Sequence, residues 1–291
     1  MKRKLLALVL CFVMVFALAA CGEKASGKKI IVGSKGFTEN LILSELYALA
    51  LEEAGYEVER TFEVQNALIH DALKEGEIDI YPEYTGTALM SVYQQPMESD
   101  PQKVYDIVKG LYEGDGLAVL EMCKANDGQG LAITKEASEK YGIYTISDLQ
   151  KKADKISFGC TSDFYEREDG MAGLAKHYGE FKFKDENSFD DALKYEIMSK
   201  GEADCVPAYT TDAQLAGEEF VLLEDDKSFW PPYNILPVTR SDVLENCSDM
   251  ADIINRISAT IDTETMQKLN AKVDIDKEEY DDVAAEFFAT I

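Results

Sequence analysis

Histidine is scarce in this chain, with two in 291 residues. His70 and His177 sit on helix-like segments with no second ligand at metal spacing. None of the six cysteines forms a Cys-x-x-Cys, so a zinc site has no pattern to rest on and no metal is expected. A Gly-x-Ser-x-Gly elbow, paired His ligands and a phosphate-binding glycine loop are all missing, which removes the usual marks of an enzyme, and no cofactor is expected. Positive charge is also short: 29 Lys and Arg face 55 Asp and Glu, for a net charge of −26. Such a balance argues against nucleic acid and against docking on an anionic membrane face. It also makes any basic residue inside a cleft informative. Beyond the first twenty residues no apolar run is long enough to span a bilayer.

What is present begins with a leader. Met1-Lys2-Arg3-Lys4 is basic, Leu5 to Leu18 is apolar, and Ala19-Ala20-Cys21-Gly22 closes it. Small residues followed by Cys and Gly resemble a bacterial lipoprotein signal. The resemblance implies cleavage before Cys21, lipid on its sulfur, and an extracytoplasmic, membrane-anchored chain. Several acyl chains are what stable anchoring requires. Residues 21–27 read as a polar tether. Loss of the leader leaves 26 basic side chains against 55 acidic ones, a charge near −29. Cys123, Cys160, Cys205 and Cys247 remain, widely spaced. Cys160 and Cys205 lie in apolar runs and suit buried small hydrophobes; pairing stays open.

At 46% apolar, the rest is globular and long enough for two cores. Its organising feature is a repeat. Gly76-Glu77-Ile78-Asp79-Ile80-Tyr81-Pro82-Glu83-Tyr84-Thr85 returns as Gly201-Glu202-Ala203-Asp204-Cys205-Val206-Pro207-Ala208-Tyr209-Thr210. Each copy follows a helix-like segment (66–75 and 189–200) and reads as a helix stop at Gly, a short strand, and a turn at its carboxyl end. Asp79 and Asp204 suit turn-fixing roles. Ligands of open α/β sheets gather beyond the carboxyl ends of strands. Two copies on two lobes would put Tyr84 and Tyr209 at facing strand ends, with the site between them. Strand, turn and helix also follow one another over 30–54, where Lys35 stands on the turn and Thr38 suits the helix cap. Arg167 occupies the like position between the strand at 155–160 and the helix at 169–178. Further strands are expected at 56–64, 117–122, 221–223 and 235–238, and helices at 100–112, 148–153, 249–261, 263–272 and 278–290. The expected architecture is α/β with two lobes, two crossings and hinge closure, divided as 28–126 plus 236–291 and 127–235.

Tyr84, Tyr209, Tyr233, Lys35 and Arg167 then converge on strand-end loops. A fully methylated nitrogen has no proton to donate, so aromatic faces are what can hold it, at roughly 0.5–2 kcal/mol each. A carboxylate would add the contacts that Arg and Lys make. At this point the chain resembles the solute-binding proteins of ABC importers for glycine betaine, choline, carnitine and related osmoprotectants. The carrying stretches are Gly33-Ser34-Lys35-Gly36-Phe37-Thr38-Glu39, the first repeat with Thr87, Glu166-Arg167-Glu168-Asp169-Gly170, Tyr209-Thr210-Thr211-Asp212 and Pro231-Pro232-Tyr233-Asn234. The resemblance implies a type II periplasmic-binding-protein fold, and an aromatic cage of Tyr84, Tyr209 and Tyr233. It implies carboxylate contacts from Lys35, Thr87 and Arg167, and a permease and ATPase as partners. One departure stands out. Gln129 occupies the place of a fourth cage tyrosine, so a quaternary ammonium loses one face there, and larger or more polar betaines such as carnitine or ergothioneine join the candidate ligands. A surface sensor or adaptor for such a betaine, without a transport role, is the second expectation.

Overall fold

The computed structural model describes residues 27–190 and 193–291, the side chain of Asp163 excepted. The leader and Cys21 lie outside the described residues. Two five-stranded mixed sheets organise the chain. The first is built from β1 (Lys29–Lys35), α1 (Thr38–Glu53), β2 (Glu57–Val64), α2 (Ile69–Glu75), β3 (Ile80–Tyr84), α3 (Pro101–Gly114) and β4 (Leu117–Val119). The chain then crosses and lays down β5 (Gln129–Thr134), α4 (Lys135–Tyr141), α5 (Ile146–Lys152), β6 (Ser157–Cys160) and α6 (Met171–Tyr178). The second lobe is completed by β7 (Asp185–Ser188), α7 (Lys194–Ser199), β8 (Cys205–Tyr209) and β9 (Phe220–Leu222). It crosses back as β10 (Ile235–Arg240) and ends in α8 (Ser241–Asn246), α9 (Met250–Thr260), α10 (Thr263–Asp274) and α11 (Tyr280–Phe288).

The strand orders are β2-β1-β3-β10-β4 and β7-β6-β8-β5-β9. In each, the first three strands run parallel, and the fourth pairs antiparallel with both neighbours. The repeat occupies the same position in both sheets. Gly76 and Gly201 take φ of +80° and +73° where the preceding helices end, a conformation that favours glycine. Asp79 and Asp204 then hold the adjacent parallel strand. Ile31 N donates to Asp79 Oδ2 at 2.7 Å, and Ser157 N donates to Asp204 Oδ2 at 2.9 Å. Each Asp N–H also donates back, to the carbonyls of Ile31 and Ser157. The aspartates therefore do backbone work.

Burial follows the sheets. Two clusters, around Leu43, Leu46 and Ile254 and around Tyr81, Val108 and Tyr112, flank the first sheet. Another, around Leu131, Phe158 and Leu174, packs the second. Cys123, Cys160, Cys205 and Cys247 are all buried and free, as small apolar residues are. Burial pushes the Cys123 thiol up to about 12. Some local expectations shift. Phe37 rather than Thr38 is the residue before α1, and the Thr38 hydroxyl donates to Asp274 Oδ1 at 2.6 Å instead of capping. β7 and α4 were not anticipated: the first is wholly exposed and acidic, and the second has only seven residues.

The crossings, residues 120–128 and 223–234, are tied together. Asn234 Nδ2 lies 3.2 Å from the carbonyls of Cys123 and Ala125. Tyr233 N donates to Asn126 Oδ1 at 2.6 Å, and Asp127 N donates to the Tyr233 carbonyl at 3.0 Å. Any motion of one lobe against the other passes through this laced pair of segments.

Candidate functional site

Register brings the repeat tyrosines to the crossings. Tyr84 ends β3 opposite Ile235, and Tyr209 ends β8 opposite Gln129. Tyr233 lies beside the turn Thr85–Thr87: a Cβ on Gly86 would come within 2.8 Å of Tyr233 Cε1. Glycine there is what lets the ring approach. Burial first, and then the Asp169 carboxylate and Tyr209, push the Tyr233 phenol up to about 12. Tyr233 from the second crossing thus shares its surroundings with Tyr209, Arg167 and Asp169 of the second lobe.

The three tyrosines are not equally available. Tyr209 is half-exposed, while Tyr84 is 3% exposed, with its hydroxyl donating to Glu39 Oε1 at 3.0 Å. Phe37 packs on the Tyr84 ring, centroid to centroid 6.0 Å, and Lys35 Nζ lies 5.2 Å from the ring centre. In this conformation Phe37, not Tyr84, presents the first lobe's ring to the cleft.

Both expected cations need amending, because each already has a carboxylate. The Lys35 ammonium is buried and paired with Glu83, whose Oε1 also accepts from Tyr84 N at 2.9 Å and whose Oε2 accepts from Tyr81 Oη at 3.0 Å. Arg167 grips Asp169 with both arms of its fork, Nε to Oδ1 at 2.7 Å and Nη2 to Oδ2 at 2.5 Å. That contact holds the Asp169 carboxyl down to about 2. Gln129 Nε2 donates to the same Asp169 at 3.0 Å. Lys35, the buried one of the two, is neutralised from within because an unpaired buried charge is costly, whereas the Arg167 pair is exposed. Ligand carboxylate would have to share these cations with Glu83 and Asp169.

Two neighbouring cavities differ in charge, the first lined from both lobes and the second by second-lobe residues alone. A cavity of about 410 Å³ is lined by Phe37, Glu39, Asp127, Tyr209, Asp212 and Asn270, with Thr38, Thr211, Ala213, Gln214 and Asp274 completing it; it has four carboxylates and no cation. A second cavity of about 250 Å³ is lined by Gln129, Thr161, Phe164, Arg167, Lys194 and Tyr209, with Pro207 and Ala208 behind; it has two cations and no carboxylate. Tyr209 borders both. At the acidic end, Asn270 Nδ2 donates to Glu39 Oε2 at 3.1 Å and to the Thr211 carbonyl at 3.0 Å, joining α10 to both lobes. Thr211 Oγ1 donates to Asp127 Oδ1 at 2.7 Å. Burial first, then the Asp127 carboxylate, push Glu39 up to about 8. Burial also raises Asp127, with Asp212 adding to it, but the Thr211 hydrogen bond and then Lys194 and Lys35 pull it back to about 6, so the proton belongs on Glu39.

Sequence reasoning missed Glu39, Asp127, Asp169, Lys194, Asp212 and Asn270. Glu39, Asp169 and Asp212 lie inside the motifs that carry the resemblance and are within reach of the sequence. Nothing local marks Lys194 or Asn270.

Residues 28–290 match the family described as the substrate binding domain of ABC-type glycine betaine transport systems. The chain belongs to this family. It is 34% identical over 264 residues to the ergothioneine transport permease/ergothioneine binding protein of Helicobacter pylori, covering 89% of this chain. The chain spans 47% of that relative's length, about half. It is 33% identical over 284 residues to a glycine-betaine-binding protein of Pseudomonas aeruginosa, covering 93% of this chain and 91% of the other. A solved glycine betaine/carnitine/choline ABC transporter structure superposes with a TM-score of 0.85 at 26% identity, over 90% of this chain and 98% of that one. The two-lobed α/β expectation agrees with these likenesses.

Proposed function

We propose that the chain is the extracytoplasmic solute-binding component of an ABC importer, taking a quaternary-ammonium or betaine-type zwitterion between its lobes. The lobes divide at 126/127 and 235/236, and closure bends the two crossings. The single observation that supports this reading best is a pair of cavities that share Tyr209: one between the lobes whose charged residues are all acidic, and one on the second lobe whose charged residues are all cations. A zwitterion has the matching polarity, and its methylated nitrogen has affinity for aromatic faces. Tyr209, Tyr233, Arg167 and Gln129 act directly on the ligand. Tyr84, Lys35 and Thr87 join them if Phe37 turns aside from the Tyr84 ring. Cys21 carries the lipid anchor, and an ABC permease with its ATPase receives the solute. No chemical turnover is involved.

Calorimetric titration of the purified chain against glycine betaine, carnitine, choline and ergothioneine tests this reading. Binding of at least one at micromolar concentration is expected, and silence across the panel overturns it. A second reading, a sensor for an ergothioneine-like betaine, is favoured by Gln129, whose amide serves a polar ligand where an aromatic ring would serve a methylated nitrogen. Uptake of labelled ligand by cells with and without the gene separates the two.

A further inference from the structure

The two repeat tyrosines share a feature that their sequence equivalence does not explain. Lys35 Nζ lies 5.2 Å from the Tyr84 ring centre, and Lys194 Nζ lies 5.2 Å from the Tyr209 ring centre. The lysines come from unrelated places, the end of β1 and the first residue of α7. The Tyr84 pair is sealed in the core of the first lobe. The Tyr209 pair faces the basic cavity.

We propose that Lys194 is a specificity-determining residue, whose ammonium, with Arg167 on the same wall, selects ligands bearing a carboxylate over cations of the choline type. This rests on the betaine-type reading above. Lys194 pairs with Asp212 at 2.9 Å, and the pair is oriented: Lys194 lines the basic cavity and Asp212 the acidic one. The positive end of the pair therefore points into the compartment that a carboxylate would enter. Position is fixed by shared bonds. Asp212 Oδ2 also accepts from Tyr209 N at 2.9 Å and from Tyr195 Oη at 2.8 Å, which locks ammonium, ring and strand end together. The Lys194 side chain is 13% exposed, so salt screens it little. A ligand cation stacked on Tyr209 meets that charge through the ring it shares, and a ligand without an anion offers nothing in return. A zwitterion answers both Lys194 and Arg167 with its carboxylate.

The test compares glycine betaine and choline, which differ chiefly in that carboxylate, by calorimetry on the native chain and on Lys194→Met. Methionine keeps an unbranched side chain of similar length and removes the ammonium that lies over the Tyr195 and Tyr209 rings. The betaine-to-choline affinity ratio is expected to fall about tenfold in Lys194→Met and to survive in Lys194→Arg. Lys194→Gln, which retains a hydrogen bond to Asp212, is the second uncharged variant should the first fail to fold, with the same expected fall. An unchanged ratio overturns the proposal, including the case where both ligands weaken together, which is what a merely structural lysine would give. Native protein that binds neither ligand overturns this inference, and silence toward carnitine and ergothioneine as well overturns the betaine reading with it. Native binding with an unmoved ratio removes Lys194 alone.

Discussion

Replacing Glu39 by glutamine should flatten the dependence of stability on pH. Glu39 is 4% exposed, and its oxygens face Tyr84 Oη at 3.0 Å and Asn270 Nδ2 at 3.1 Å. Its carboxyl is raised from 4.5 to about 8, first by burial and then by Asp127. Between those values the folded chain holds a proton that the unfolded chain has lost, so stability falls as pH rises through that window. Below about 4.5 both states are protonated and above about 8 both are ionised, so the slope from this group vanishes at either end. From pH 5 to 8 the slope of ~1.4 kcal/mol per unit sets a ceiling of about 4 kcal/mol. Relaxation around a buried carboxyl brings the expectation to about 2 kcal/mol. Glutamine mimics the protonated acid: Oε1 can accept from Asn270 while Nε2 donates to Tyr84 Oη. Urea unfolding followed by the fluorescence of Trp230, the single tryptophan, gives both curves at each pH. Comparing variant with native cancels the general self-repulsion of an acidic chain. Glu39→Gln should gain about 2 kcal/mol on the native protein between pH 5 and 8. Parallel curves would refute a proton held at Glu39.

Tyr209→Ala should weaken ligand binding by about 1–2 kcal/mol with the melting temperature nearly unchanged, since the ring is half-exposed; calorimetry and a thermal melt check both halves. Arg167→Ala should cost more affinity for glycine betaine than for choline, and equal losses would argue against carboxylate recognition. Lys35→Met leaves Glu83 buried without its cation and should destabilise by about 3–5 kcal/mol, as read by urea midpoint. The double change Lys35→Met with Glu83→Gln should recover much of that loss, because the uncompensated charge is gone.

The repeat was legible because its residues do backbone work that few side chains can do. Gly76 and Gly201 take positive φ, and Asp79 and Asp204 bind the neighbouring strand. The same steric and hydrogen-bonding demand appears twice, so the same letters do. Strand β10 was legible as a return to the first sheet because Ile235 to Val238 is a short apolar run. β7 was not, because an exposed edge strand needs no apolar alternation. In the site, the direction of each charged side chain was hidden. Glu83, Asp169 and Asp212 lie within three residues of Tyr84, Arg167 and Tyr209 in sequence, yet only the fold decides which cation each carboxylate meets. Asn270 was beyond reach for a plainer reason. It meets Glu39 across 231 residues of chain.

The strand order carries a consequence for how this chain is made. Everything the second sheet needs, β5 through β9, is contiguous and is synthesised in one stretch. The first sheet is different: β10 sits between β3 and β4 and is made only after the whole of the other lobe. Until it arrives, β3 and β4 offer bare edges to any extended chain nearby. A nascent or truncated protein ending near residue 234, after Phe229 and Trp230 have joined the second core, would therefore own one finished lobe and one open one. The open lobe would be the target for chaperones and proteases, even though most of its residues were the first to emerge.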